Sequence, residues 1–398
     1  MFFVGKNRIF STFSNVFLLL FYHQRDIFTM YENGRNMTAP REGFHTMAKK
    51  QFCVIGHFGF GKNMLNGQTV KTKILAAALD QALGEDAVMK IDTHGGVKAL
   101  LKLPFQTLCA MAKCENVVIL PAHRGLRIVT PLLSFWRLFF KSKLHYAVIG
   151  GWLASYLEGK PCLERQLKRF TAIYAETRTM KAALEARGFL NVTVMPNCKE
   201  LALLQEEELI PTQAAPFKLC TFSRVMAEKG IEDAVNAVKA INKAAGSTVY
   251  TLDIYGQVDA GQTQWFEDLQ KTFPDYIRYG GLVPFDKSVE VLKDYFALLF
   301  PTRYFTEGIP GTVVDAYAAG VPVLSARWES FADVIDDTIT GYGYDFGSTE
   351  ALTALLKEAA ADPSMINNLK SNCLKKAQDY TPDKEIAILL GEEGKVHT

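Results

Sequence analysis

Neither a strong charge of one sign, nor a metal-ligand cluster, nor an apolar run of membrane length is present in this chain. Its 44 basic and 42 acidic residues leave a formal net charge of +2, so there is no global field to draw in nucleic acid, which is not expected as a partner. Any electrostatic argument falls to local patches. Cysteine occurs seven times, at Cys53, Cys109, Cys114, Cys162, Cys198, Cys220 and Cys373. The number is odd, no pair has C-x-x-C spacing, and most sit in apolar surroundings. That speaks against a disulfide framework or a zinc site and for a reducing, cytoplasmic compartment. His57, His94, His123 and His145 show no H-x-H or H-x-x-x-H spacing, and no G-x-S-x-G elbow occurs, so no metal and no serine nucleophile is read here. The apolar run from Ile9 to Tyr22 covers 14 residues, short of the roughly 20 that a spanning helix needs, and no small-x-small cleavage site follows it. Met30, Met37 and Met47 are each compatible with a start. Two readings stay open for residues 1–46: a non-native or disordered extension, or an anchor that touches a membrane.

What is present, from residue 51 on, is a rhythm of short apolar strands separated by helix-length amphipathic segments. Phe52 to Ile55, Ala87 to Ile91, Asn116 to Leu120, His145 to Ile149, Thr171 to Ala175 and Val192 to Met195 read as strands. Such alternation argues for βαβ units and a parallel sheet. A Glu-rich stretch interrupted by Pro211 and Pro216 breaks the rhythm, which then restarts with Leu219 to Phe222, Tyr250 to Tyr255, Ile277 to Tyr279, Ala297 to Phe300 and Val321 to Leu324. The expected organisation is a first Rossmann-like domain over 47–203, a linker over 204–216, a second Rossmann-like domain over 217–380, and a tail over 381–398 returning as a helix to the first domain. The fold class is α/β, with two doubly wound domains facing a cleft, and that cleft is the default site.

The most informative segment runs Phe300-Pro301-Thr302-Arg303-Tyr304-Phe305-Thr306-Glu307-Gly308-Ile309-Pro310-Gly311-Thr312-Val313-Val314-Asp315, and Gly320-Val321-Pro322-Val323 follows soon after. A strand leads into a loop with one acid, then a helix with a second acid eight residues on. Loops at the carboxyl ends of parallel strands carry ligands, and the first amides of the helix favour a phosphate. Carboxylates aimed there would repel phosphate, so Glu307 and Asp315 are read as acceptors for hydroxyls of a sugar or ribose. A nucleotide-sugar offers both. Ser223-Arg224-Val225-Met226-Ala227-Glu228-Lys229-Gly230 places Arg224 and Lys229 where both can reach a diphosphate; two solvated surface cations are the alternative.

Gly56-His57-Phe58-Gly59-Phe60-Gly61-Lys62-Asn63 has the G-x-x-x-x-G-K of a P-loop but Asn63 in place of the magnesium-binding hydroxyl, and Asp92 is the one strand-end acid available for a metal. A glycine-rich loop facing the cleft, with the candidate substrate contacts Gly67 and Gln68 opening the next helix, is the alternative. Arg124 to Lys143 carries five basic and no acidic residues among aromatics such as Trp136, Phe139 and Phe140. It reads as an anionic-membrane surface or as a core helix with snorkelling cations.

Arg224 and Lys229, the Glu307-Gly308 loop, the second acid and the Ala-Gly-x-Pro-Val tail together resemble retaining GT-B glycosyltransferases of family four. The resemblance implies that Glu307 meets donor-sugar hydroxyls as the catalytic-site acid, that Asp315 takes the ribose role usually held by Glu, and that Arg224, Lys229 and the amides of Ile309 and Gly311 hold the diphosphate. Where the family often has a His, Ile149-Gly150-Gly151 stands here. The implied activity is sugar transfer from a nucleoside diphosphate sugar, the donor substrate, to a glycan or lipid-linked acceptor in bacterial cell-surface polysaccharide assembly, with no cofactor and no metal. The chain would then work in the cytoplasm or at the inner face of the membrane. Phosphotransfer by the near-P-loop, nucleotide-sugar epimerisation and non-catalytic sensing are the competing readings.

Overall fold

A computed structural model describes residues 49–61 and 67–391. The 1–46 extension, Lys62 with the rest of its loop, and residues 392–398 lie outside the described residues. Among the described residues, twelve strands form two six-stranded sheets in which every pairing is parallel. The first sheet holds β1 (Lys50–Gly56), β2 (Val88–Asp92), β3 (Cys114–Ile119), β4 (Lys143–Ala147), β5 (Ala172–Ala175) and β6 (Val192–Val194), in the order β2-β1-β3-β4-β5-β6. The second holds β7 (Phe217–Phe222), β8 (Tyr250–Tyr255), β9 (Ile277–Gly281), β10 (Ala297–Phe300), β11 (Val323–Ala326) and β12 (Gly341–Tyr344), in the order β12-β11-β10-β7-β8-β9.

The central strands are apolar at consecutive positions because helices cover both faces. Cys53, Val54 and Ile55 of β1 and Val117, Val118 and Ile119 of β3 have no exposed surface. Strand β12 escapes the sequence reading because Gly-Tyr-Gly-Tyr has neither β-branched residues nor an apolar run; pairing with β11 makes it a strand. The last helix, Pro382–Leu390, returns to the first sheet. Its Ile386 and Leu389 share an apolar cluster with Phe52, Val54, Leu75 and Leu79, so the end of the chain helps build the core that its beginning starts.

The segment from Arg124 to Lys143 divides between its two readings. Leu126, Val129 and Leu133 of the helix His123–Trp136 are buried, Phe140 packs on the core, and Trp136 Nε1 donates to Thr107 Oγ1 at 3.1 Å. Among the rings that were expected to face outward, Phe139 does so, at 59% exposure, with Leu138 beside it at 75%. The neighbouring helix Gly96–Lys113 adds Val97, Leu101 and Phe105, exposed at 72, 72 and 67% on successive turns, with Lys98 and Lys102 next to the first two. No helix among the described residues is long and apolar enough to cross a membrane.

Candidate functional site

In the second sheet the strand order reverses between β7 and β10, so the chain leaves these neighbours toward opposite faces and opens a crevice at their carboxyl ends. That crevice faces the first sheet across a cleft of about 430 Å³. The loops after β7 and β10 carry the two motifs, which explains why residues 78 positions apart meet: Lys229 Nζ donates to Glu307 Oε1. Thr302 Oγ1 donates to the same oxygen at 3.3 Å, and the ammonium lies 5.7 Å from the Phe300 ring centre and 5.2 Å from that of Tyr304. Gly230 fixes this approach. Its φ is 69°, and a Cβ there would stand 1.8 Å from the Pro301 carbonyl oxygen, so only glycine allows the turn that brings Lys229 against the second loop. Arg224 lines the same cleft with its side chain half exposed, its Nη1 3.6 Å from Asp259 Oδ2.

Glu307 and Asp315 have separate surroundings. Asp315 lies in the helix Gly311–Ala318, 4% exposed, with Lys199 Nζ donating to Oδ1 at 2.5 Å and to Oδ2 at 2.7 Å. Burial pushes its carboxyl upward and Lys199 opposes that rise. The Ile309 amide, assigned to the diphosphate by resemblance, has another partner: Glu176, just past β5, accepts it on Oε2 at 3.0 Å. Asn197 Nδ2 donates to the Ile309 carbonyl at 3.1 Å, so the first half grips both backbone polar groups of that residue. Gly308 permits the grip, since a Cβ there would lie 2.1 Å from Glu176 Oε2 and 2.7 Å from Gly150 Cα. Ile149-Gly150-Gly151, which stands in place of a His, meets the loop directly: the Gly151 N–H donates to the Thr306 carbonyl at 3.2 Å.

Under the cleft lies a buried ionic cluster. Lys71 Nζ is 3.0 Å from Glu176 Oε1 and 3.9 Å from Glu385 Oε1, and all three side chains are at most 2% exposed. Burial disfavours the Lys71 charge, but the two carboxylates outweigh it and hold the ammonium above its ordinary value. Cys198 Sγ donates to Glu385 Oε2 at 2.6 Å, and burial raises that thiol strongly. The cluster ties the helix Gly67–Leu83, the end of β5, the crossing segment and the last helix to one point.

Gly67 lines the cleft at the start of its helix, whereas the Gln68 side chain turns inward and donates to the Leu120 carbonyl at 3.2 Å. Asp92, the acid considered for a metal, is engaged by backbone: the amides of Phe58 and His94 reach Oδ1 at 2.9 and 2.8 Å, and that of Phe60 reaches Oδ2 at 3.0 Å. Burial alone would raise its carboxyl; these amides outweigh burial and hold it below the usual value. His57 bridges Thr69 Oγ1 at 2.7 Å and His94 Nδ1 at 3.0 Å, fastening the same loop. A second concavity of about 470 Å³ lies at the β8 and β9 edge, away from the strand ends. There Arg278, Tyr295 and Asp253 satisfy one another, so the cleft is the chemical candidate.

Sequence reasoning found Arg224, Lys229, Gly311, Asp315 and Glu307, all lining the cleft. It missed Lys71, Glu176, Asn197 and Lys199, which line it from the first half. The available signals were an acid directly after an apolar strand, at Ala175-Glu176, and the polar Asn197-Cys198-Lys199 directly after β6 and Pro196.

Residues 216–362 match the family described as glycosyl transferases group 1. An amylovoran biosynthesis glycosyltransferase, AmsK of Erwinia amylovora, is 25% identical over 145 residues, a stretch that is 35% of this chain and 35% of that protein. The match therefore spans about a third of the relative's length. HepE of Anabaena, solved with UDP and glucose, superposes with a TM-score of 0.64 at 13% identity over 86% of this chain and 99% of its own. Sucrose-phosphate synthase of Thermosynechococcus elongatus gives 0.67 at 15% identity over 86% and 98%. The two parallel-sheet α/β domains thus form a GT-B fold, and the match to the glycosyl transferases group 1 model lies in its second half.

Proposed function

We propose that this chain, a GT-B protein with a glycosyl transferases group 1 domain in its second half, transfers a sugar from a nucleoside diphosphate donor to a glycan or lipid-linked acceptor, with retention at the anomeric carbon. The observation that carries the reading is the meeting of Lys229 and Glu307 at the switch point of the second sheet, with Arg224 on the same wall. HepE, a neighbour in fold, binds UDP and glucose. Here the diphosphate lies against Arg224 and Lys229, whose charges stabilise it as the leaving group, and draws Lys229 away from Glu307. Glu307, freed of its partner, accepts from donor-sugar hydroxyls. Retention follows from a leaving diphosphate that stays on the side of attack and takes the acceptor proton, so no protein base is required. Leu282, Val283 and Phe285 supply an apolar wall for the nucleobase. No cofactor enters this scheme.

The acceptor side is the first sheet. Between Asp92 and Glu158 the chain has eight Lys or Arg residues and one acid, Glu115. The exposed Val97, Leu101, Phe105, Leu138 and Phe139 lie within that basic stretch. A lipid-linked acceptor at an anionic membrane, in bacterial cell-surface polysaccharide assembly, fits such a face. Phosphotransfer by the near-P-loop is the weaker reading because Asp92 is committed to three backbone amides.

Thermal shift with UDP-, GDP-, ADP- and dTDP-sugars, followed by assay of donor hydrolysis and transfer, tests the proposal. Wild-type protein is expected to turn over at least one donor. Arg224→Ala with Lys229→Ala is expected to lower that turnover by about two orders of magnitude or more while leaving the melting transition cooperative. Undiminished turnover in the double variant would remove the diphosphate assignment.

A further inference from the structure

We infer that Glu176 is a positioning residue for the site: held by Lys71 in the first half, it fixes the Ile309 amide and, through it, the backbone that carries Glu307. This rests on the transferase reading above. The second half holds the Glu307 carboxylate, through Lys229 and Thr302, whereas the backbone around it is held from the first half. Gly151 N–H donates to the Thr306 carbonyl at 3.2 Å, and a Cβ on Gly151 would lie 2.9 Å from the carbonyl oxygens of both Thr306 and Glu307. On the other side of Glu307, Ile309 donates its N–H to Glu176 Oε2 at 3.0 Å and accepts from Asn197 on its carbonyl. Glu307 therefore stands between two anchors that belong to the opposite wall of the cleft.

Charge and burial single out Glu176 among these anchors. The Gly151 and Asn197 contacts are neutral, and the Glu176 contact is charge-assisted, roughly twice as strong. Its two oxygens have separate tasks: Oε1 accepts from Lys71 Nζ at 3.0 Å, and Oε2 accepts from Ile309. Lys71 also reaches the Val148 carbonyl at 3.5 Å, just before the Ile149-Gly150-Gly151 turn, so one buried cation supports the anchors on both sides of Glu307. Ile309 is 5% exposed and its amide is already taken. A phosphate oxygen could use that amide only by displacing a carboxylate that Lys71 anchors. The diphosphate is left to Arg224 and Lys229, and the Glu176 contact stays in place during turnover. Its value lies in precision, because a misplacement of about 1 Å at a reacting centre costs on the order of a hundredfold in rate.

The test compares full-length wild-type protein with Glu176→Met and Glu385→Met. Each variant leaves Lys71 beside one carboxylate, and Glu385 Oε1 has no hydrogen-bond partner among the described residues, so it is available to Lys71 once Glu176 is gone. Both variants are therefore expected to fold, and only the first releases the loop. Hydrogen–deuterium exchange of peptides covering 302–312 is expected to quicken by about tenfold or more in Glu176→Met and to keep the wild-type rate in Glu385→Met. Turnover is read with the UDP-, GDP-, ADP- or dTDP-sugar that wild-type protein hydrolyses fastest. Glu176→Met is expected to lose about tenfold or more in kcat with KM within about threefold, and Glu385→Met to keep both. Unchanged exchange in Glu176→Met, or equal losses in the two variants, overturns the inference in favour of a contact that serves the buried cluster alone. A lower KM with undiminished kcat overturns it in favour of a carboxylate that competes with the donor for the Ile309 amide. Failure of wild-type protein to hydrolyse any of these donors removes the transferase reading, and the exchange arm then decides by itself whether Glu176 holds the loop.

Discussion

His145 shows how one buried side chain sets a pH response. It sits in β4, 6% exposed, with Nε2 3.2 Å from Asn116 Oδ1 and Nδ1 3.2 Å from the Tyr174 hydroxyl. A neutral ring satisfies both, donating to Asn116 and accepting from Tyr174. Burial, with a smaller contribution from Lys143, pushes its pKa down to about 4. The unfolded chain takes up this proton near pH 6.5 and the folded chain does not, so the unfolded state binds more protons between those values. Stability therefore falls as pH drops from about 6.5 toward 4, by at most roughly 3 kcal/mol from this group. Urea unfolding of wild-type and His145→Gln protein at pH 7.5 and 5 is expected to show a shallower loss in the variant; parallel losses would clear His145 of the effect. Gly308 acts by having no side chain. Gly308→Ala places a methyl on Glu176 Oε2 and Gly150 Cα, and forcing the halves apart there is expected to lower turnover tenfold or more, about 1.4 kcal/mol in the barrier. A full loss of cooperative unfolding would instead mark Gly308 as a folding position.

Among the elements, the last helix and the helix Gly67–Leu83 depend on each other. Apolar packing through Ile386, Leu389, Leu75 and Leu79 holds them together, and Lys71 stands between Glu176 and Glu385 with all three side chains at most 2% exposed. Removing the cation leaves two buried carboxylates without compensation. Lys71→Met is thus expected to cost about 3–5 kcal/mol, measured by urea unfolding. Glu385→Gln, which leaves Lys71 paired with Glu176, is expected to cost less. The reverse order would show that packing rather than charge holds the junction. Because Glu176 also accepts from Ile309 N–H, the same lysine orients a residue that touches the opposite wall of the cleft.

At the scale of the whole molecule, the charge-balanced chain leaves one stretch of the first half nearly without acids, with Glu115 alone against eight Lys or Arg between Asp92 and Glu158. Lys98, Lys102, Arg127, Arg137 and Lys141 are exposed there with Val97, Leu101, Phe105, Leu138 and Phe139. Each cation contributes at most about 1 kcal/mol near an anionic surface, and salt screens that part but not the apolar part. Co-sedimentation of Met47-start protein with phosphatidylserine vesicles is expected to weaken with salt and to leave a residue of binding at high salt. Leu101→Glu with Phe105→Glu is expected to abolish that residue, whereas Trp136→Phe, a change at a ring bonded to Thr107, leaves it intact. Supernatant protein at low salt would assign this face to something other than a membrane.

The sequence alone determined the α/β class, the position of eleven strands, the loops bearing Arg224, Lys229 and Glu307, and the helix bearing Asp315. Local period, turn residues and the order of acid, glycine and proline are written in consecutive positions. It did not determine β12, whose two glycines and two tyrosines become a strand through β11. It did not show that Lys199 would reach Asp315, that Glu176 would take the Ile309 amide, or that Lys71 would meet Glu385 from the far end of the chain. Those partners are 116, 133 and 314 positions apart, and nothing in the pattern around either member names the other. Closure of the two sheets brings the first two pairs within hydrogen-bonding reach, and the return of the last helix to the first sheet brings the third within ionic reach. The exposed apolar face was half legible for the same reason: the basic aromatic segment is visible as composition, but packing decided that Trp136 and Phe140 turn toward the core while Phe105 and Phe139 turn out.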